Sequence, residues 1–161
     1  MQVLIEAGAN SNSRALDGMT PLRNAAQRGH VDAIKVLLRA KADPLLTCSK
    51  ASGNTFLPLD TAAELGHLEV VHELLQERGI EGCGGATNGV QALALAAQNQ
   101  HVGIMGMLTG AGVVDTGAAV LRDASSRGKE PSVKFLLQQW KRNSSGDKAG
   151  WTRPTVPAQR P

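Results

Sequence analysis

Asp60 and Glu64 lie four residues apart in "LPLDTAAELGHLEVVHELL", the interval that places two side chains on one face of a helix. Two carboxyls so placed resemble an acid–base pair. No histidine, serine or cysteine is set by the sequence to work with them, so they read first as an acidic stripe. Glu69, Glu73 and Glu77 extend it at the same interval. Like charges at this spacing repel mildly, and a basic partner gains by neutralising them.

Four histidines and two cysteines are the other reactive groups. A zinc site needs several ligands converging on one point. His30, His67 and His101 instead recur at one position of a repeated pattern, and His67 and His72 are five residues apart, off the i,i+4 face. They read as structural groups at a turn, and no metal or other cofactor is expected. Cys48 and Cys83 have no Cys-x-x-Cys companion, so neither redox nor nucleophilic work is implied. "EGCGGATNG" has the glycines of a phosphate loop but lacks its Lys-Ser/Thr end and a preceding strand; it reads as a flexible loop. The chain therefore predicts no catalytic residue.

The chain has 161 residues, 42% of them apolar but only 2% aromatic. That is enough for one domain, and the prevalence of Ala, Leu and Val suits closely packed helices better than a β-sandwich. Two cysteines make no disulfide framework, which points to a reducing intracellular setting, cytoplasmic or nuclear. There is neither a signal-peptide pattern at the start nor a run long enough to span a bilayer. The net charge of +3 is uneven: residues 17–50 carry six Lys/Arg against three Asp/Glu, residues 51–87 one against six, and residues 116–161 nine against three. Alternating blocks argue against a uniform nucleic-acid footprint.

The elements that carry these residues repeat. Ala25-Ala26, Ala62-Ala63, Ala96-Ala97 and Ala124-Ser125 each follow a leucine three residues earlier, at Leu22, Leu59, Leu93 and Leu121. Gly29-His30, Gly66-His67, Gln100-His101 and Gly128-Lys129 come next, and Leu37-Leu38, Leu74-Leu75, Leu108-Thr109 and Leu136-Leu137 close each unit. Within one unit Thr20 caps a helix and Pro21 occupies its first position. Leu22, Ala25 and Ala26 share a face, Gly29 supplies a left-handed stop, and Asp32 favours the start of a second helix. Such helices are too short to stand alone. Stacking like units buries what each leaves bare, which predicts an all-α solenoid of antiparallel helix pairs.

"DGMTPLRNAAQRGHVDAIKVLLRAKAD" resembles an ankyrin repeat: G-x-T-P-L-H-x-A-A, then G-H, a leucine-rich second helix and a G-A-D hairpin. The resemblance runs from about Met1 to Trp140. It implies about four repeats plus an N-terminal half repeat over residues 1–141, with the half repeat at 1–14, repeats near 15–47, 50–83, 86–115 and 116–141, and a disordered basic tail at 142–161. Met1 falls inside a second helix, an expectation of a fragment or of a start lying upstream. Arg23, Asp60, Ala94 and Arg122 stand where the family has a histidine that ties neighbouring turns, which leaves the rigidity of those loops open. Phe56-Leu57 is an insertion expected to bulge its loop, and Lys41 replaces a hairpin glycine.

The family's members bind proteins through the concave face and finger loops. Carried over by position, the contact set is Leu16, Asp17, Met19, Gln27 and Arg28 in the first full unit, then Glu64 and Leu65. Asn88, Val90, Gln98 and Asn99 follow in the third, and Arg127 in the last. Any one of them is equally an ordinary solvated residue. The resemblance thus implies a non-catalytic protein–protein interaction module, a scaffold or adaptor, monomeric or part of a longer chain. Two alternatives remain: a recruiting fragment of a larger enzyme of kinase or ubiquitin-ligase type, and nucleic-acid association through Arg122, Arg127, Lys129, Lys134 and the basic tail.

Overall fold

The computed structural model describes residues 9–16, 18–46, 48–49, 55–82, 85–115 and 118–144. The first pair is α1 (Pro21–Gln27) and α2 (Val31–Arg39). Thr20 Oγ accepts the Arg23 amide at 3.2 Å, relieving one of the unpaired donors at a helix start. Gly29 turns the chain with φ +69°, and Asp32 sits in the first turn of α2. Lys41 holds φ +58°, the left-handed conformation that costs a side chain about 1 kcal/mol.

The finger before the second pair closes as a two-residue antiparallel ribbon, β1 (Cys48–Ser49) against β2 (Thr55–Phe56), with Cys48 opposite Phe56. The expected bulge is thus a ribbon, anchored because Phe56 and Leu57 are buried. The next helices are α3 (Pro58–Leu65), α4 (Leu68–Gly82), α5 (Gly85–Gln98) and α6 (Val102–Gly110). Here "EGCGGATNG" departs from expectation. Glu81 and Gly82 end α4 and Gly85 to Gly89 open α5, so a helix replaces the flexible loop. Gly89 is buried within this helix. Cys83 lies outside the described residues.

The last pair is α7 (Ala119–Ser126) and α8 (Glu130–Ser144). The short link from α6 works because buried Asp115 caps α7 from a distance: its carboxylate accepts the amides of Ala119 (3.0 Å), Val120 (2.9 Å) and Leu121 (3.2 Å). A negative charge is favourable at that dipole end. Helix α8 continues through Arg142 to Ser144, three residues into the segment expected as tail; residues 145–161, and Met1 to Gly8 of the half repeat, lie outside the described residues.

The inner helices stack α1 on α3, α3 on α5 and α5 on α7; the outer helices α2, α4, α6 and α8 follow the same order. One continuous core contains Leu22, Leu59 and Leu93 together with all three Ala-Ala pairs. In the last unit Val120 and Ala124 are buried while Leu121 is only half covered and Ser125 is exposed. The sequence repeat is a packing repeat.

Candidate binding surface

The inner helices are held in register by hydrogen bonds between units. The His67 ring Nε2 meets the Gln27 carbonyl at 3.1 Å, and the His101 Nε2 meets the Glu64 carbonyl at 3.2 Å. Each histidine, just ahead of its outer helix, thereby grips the last turn of the preceding inner helix. The rung is absent at the third step, where Lys129 takes the histidine's place. There Ser132 donates its hydroxyl to the Ala97 carbonyl at 2.7 Å.

The residues at the Thr-Pro-Leu-His position behave differently from one another. Arg23 is buried and donates Nε–H to Thr61 Oγ at 3.3 Å, while the Thr61 hydroxyl donates to the Leu57 carbonyl at 3.2 Å. An arginine therefore does the tying that a histidine does elsewhere in the family. Asp60 is only 2% exposed, so the acidic-stripe reading is wrong for this residue. One carboxylate oxygen accepts the Leu57 amide at 2.9 Å, and the other has no partner among the described residues. Burial pushes the Asp60 pKa up from 3.8 to about 6; the Leu57 amide opposes this and the Glu64 charge adds to it. Glu69 is exposed, but Glu73 is paired with Lys35 at 3.3 Å, so the stripe is interrupted there as well. The side chain of Glu77 lies outside the described set.

The expected contact residues divide by element. Gln27 and Arg28, Glu64 and Leu65, Gln98 and Asn99, and Ser126 and Arg127 end the four inner helices at equivalent positions, forming one row across the stack. Gln27, Arg28, Leu65, Asn99 and Arg127 are exposed, and Glu64 and Gln98 are half-buried. Leu16 is fully exposed at a finger tip, closed by a Gly18 amide bond to the Ala15 carbonyl at 2.8 Å. Met19 is half-buried. Asp17 and the Asn88 side chain lie outside the described residues. Asn88 and Val90 do not belong to a finger: both are on α5, with Val90 packed against the core.

Part of the row is already engaged. Arg28 Nε–H reaches Asn24 Oδ1 at 3.1 Å, and the Asn99 amide donates to the Leu95 carbonyl at 3.0 Å. Asp123 joins two of the expected residues: Arg127 Nε–H reaches its Oδ1 at 2.8 Å and the Gln98 amide its Oδ2 at 3.1 Å. These bonds, Arg127's first, hold the Asp123 pKa below the usual carboxylate range. The Asp123–Arg127 pair was readable from its i,i+4 spacing; Asp123–Gln98 crosses repeats and was not. Lys134 is likewise paired with Glu130.

Among the described residues no three His, Cys, Asp or Glu side chains converge as a metal site, and no helix is long and apolar enough to cross a membrane. His72, on α4, takes no part in the rungs; the Gln76 side-chain amide lies 3.1 Å from its Nε2.

A family model described as ankyrin repeats (three copies) matches residues 1–84. The human ankyrin repeat domain-containing protein 63 is 33% identical over 129 residues, covering 78% of this chain and 33% of that protein. Its mouse counterpart is 35% identical over 113 residues, 68% of this chain and 28% of that protein. The Drosophila melanogaster tyrosine-protein kinase Shark is 40% identical over 76 residues, 47% of this chain and 8% of the kinase. The chain spans about a third of the length of the human relative. The helix pairs continue in the same stack beyond residue 84, to Ser144. With its histidine rungs, stacked Ala-Ala helices and this match, the chain belongs to the ankyrin repeat family.

Proposed function

We propose that this chain is a non-catalytic protein-binding module that engages its partner across the ends of the inner helices. The alignment of Gln27–Arg28, Glu64–Leu65, Gln98–Asn99 and Ser126–Arg127 on stacked helices carries the reading. Side chains held by a rigid stack lose little further freedom on binding. The row offers amides in its first and third units (Gln27, Gln98 and Asn99), a carboxylate and an exposed leucine in the second (Glu64 and Leu65) and an arginine near each end (Arg28 and Arg127), and Leu16 adds an apolar contact from the first finger. Membership of the ankyrin repeat family supports an intracellular site of action for this module.

The test is affinity purification from the native organism with mass spectrometry, using the full chain and a variant with Gln27, Arg28, Glu64 and Gln98 all changed to alanine. The partners of the full chain should be lost from the variant while its thermal unfolding stays cooperative. A variant that is folded and retains every partner rejects the row.

A second reading makes the chain the recruiting part of a larger enzyme. It is supported by the similarity to a tyrosine kinase and by the small share of each relative that the chain spans. Sequencing the complete transcript tests it, since a catalytic domain is either encoded in the same frame or not. Nucleic-acid binding at the basic C-terminal end has less support, because Arg127 and Lys134 are already ion-paired. It demands steeply salt-dependent binding.

A further inference from the structure

Leu57 is the point at which the second finger joins the stack, and three side chains hold it. Asp60 accepts its amide at 2.9 Å, and the Thr61 hydroxyl donates to its carbonyl at 3.2 Å. Arg23 of the preceding unit steadies Thr61 through its Nε–H, at 3.3 Å. Leu57 and Phe56 are both buried at this base. Above it the finger is a ribbon of two residues a side.

Asp60 is the costly member of this clamp. It is almost wholly buried, and its Oδ1 has no hydrogen-bond partner among the described residues. An ionised carboxylate in that setting lacks both water and a counter-charge. Glu64, one turn along α3, adds a second negative charge. Of the elements packed against α3, α1 brings Arg23 and Arg28, whose Nε–H groups are committed to Thr61 and Asn24. Helix α4 brings His67 at its head, then Glu69, His72 and Glu73, the last paired with Lys35; its later turns carry Glu77, Arg78 and Glu81. Neither α5 nor β2 carries a charged residue. Two movements would bring water to Asp60. Parting α3 from α5 breaks the continuous core at Leu59, Ala62, Ala63, Leu93 and Ala96. Freeing the finger base uncovers Leu57 and Phe56, which disturbs far less buried apolar surface.

We infer that the second finger is a pH-governed element: protonated Asp60 keeps it clamped on the stack, and ionised Asp60 releases its base at Leu57 so that the carboxylate meets water. The proton passes to solvent. The device lies at the opposite end of α3 from the row of inner-helix ends, and it gives the finger end two states. Burial sets its direction, because it raises the Asp60 pKa to about 6. The clamp is therefore complete in acid, below about pH 4, and is lost as pH rises through 6. Any contact made through the second finger follows that transition.

Native-state hydrogen exchange on the full chain, followed by NMR in low urea and corrected for each amide's intrinsic rate, tests this. The Leu57 amide should open more readily than those of Ala62 and Ala97, with an opening constant independent of urea, as for a local movement. That constant should rise about twentyfold from about pH 4.5 to 7.5. Asp60→Asn should keep the finger clamped and the constant flat over the same range. If that variant does not fold, the urea and pH dependence of the native chain still decide. Three results overturn the inference. They are a Leu57 amide that exchanges only through the urea-dependent opening of the core, an opening constant that does not change with pH, and a rise that persists in Asp60→Asn. None of these readouts involves a partner, so the row of inner-helix ends stands or falls separately.

Discussion

The imidazole of His101 lies so close over Gly66 that a β-carbon there would come within 2.6 Å of its Cε1. Gly66 also has φ +82°. Glycine is thus required twice, once for the backbone and once for the neighbour's ring. Gly128 shares the backbone demand, with φ +66°, but has open space above it.

Alanine substitution separates the two demands. Gly128→Ala should cost only the left-handed strain, about 1–2 kcal/mol. Gly66→Ala should cost that plus the displaced His101 bond, about 2–3 kcal/mol in all. Urea unfolding of the two variants checks the order. Equal losses would mean that the ring contact contributes nothing.

Stability should depend on pH through Asp60. Its folded pKa, about 6, stands above the ordinary 3.8, so the folded state binds the proton more tightly than the unfolded one. The contribution is complete below about pH 4 and lost as pH rises through 6. The loss is about 3 kcal/mol at most. Asp60→Asn keeps an acceptor for the Leu57 amide and removes the charge. It should be more stable than the native chain at pH 7.5 and show less change between pH 4.5 and 7.5 in urea melts.

Asp60 also marks where sequence reading stopped. The repeat was legible because the Ala-Ala pairs, the Gly-His turns and the leucine pairs are local and periodic. Asp60 read as a surface charge because charged residues are ordinarily exposed. Its burial comes from helices on both sides, contributed by residues far away in the chain. The opening of α5 was missed for a related reason. Gly85 and Gly89 have poor helix propensity, and packing on α3 and α4 outweighs it. Of the contact row, the positions were readable from the repeat, but the Asp123 clamp on Gln98 was not, since nothing local links a residue of α5 to one of α7.

Ser132 should act on the last pair alone. Its hydroxyl bond to Ala97 is buried, so Ser132→Ala removes that bond, leaving the carbonyl with the Gln100 amide alone, at a cost of about 1 kcal/mol. In a stack, such a loss falls mainly on the unit that makes the contact. Amide hydrogen exchange should quicken in α7 and α8 and stay unchanged in α1 to α4. Uniform acceleration across all helices would show one cooperative unit.

The missing third rung can be built. Gln100 occupies the glycine position with φ +63°, and Lys129 occupies the histidine position. Lys129→His alone should gain nothing, because the Gln100 side chain begins where the ring must rest. Gln100→Gly alone relieves left-handed strain but frees the unfolded chain, a net gain of about 0.5 kcal/mol. Together they should let the new ring reach the Gln98 carbonyl, as His101 reaches Glu64. The pair should then exceed the sum of the singles by about 1 kcal/mol. A double-mutant cycle in urea measures that coupling. Strict additivity would mean that glycine and histidine recur together for separate reasons, and that the ring needs no glycine beneath it.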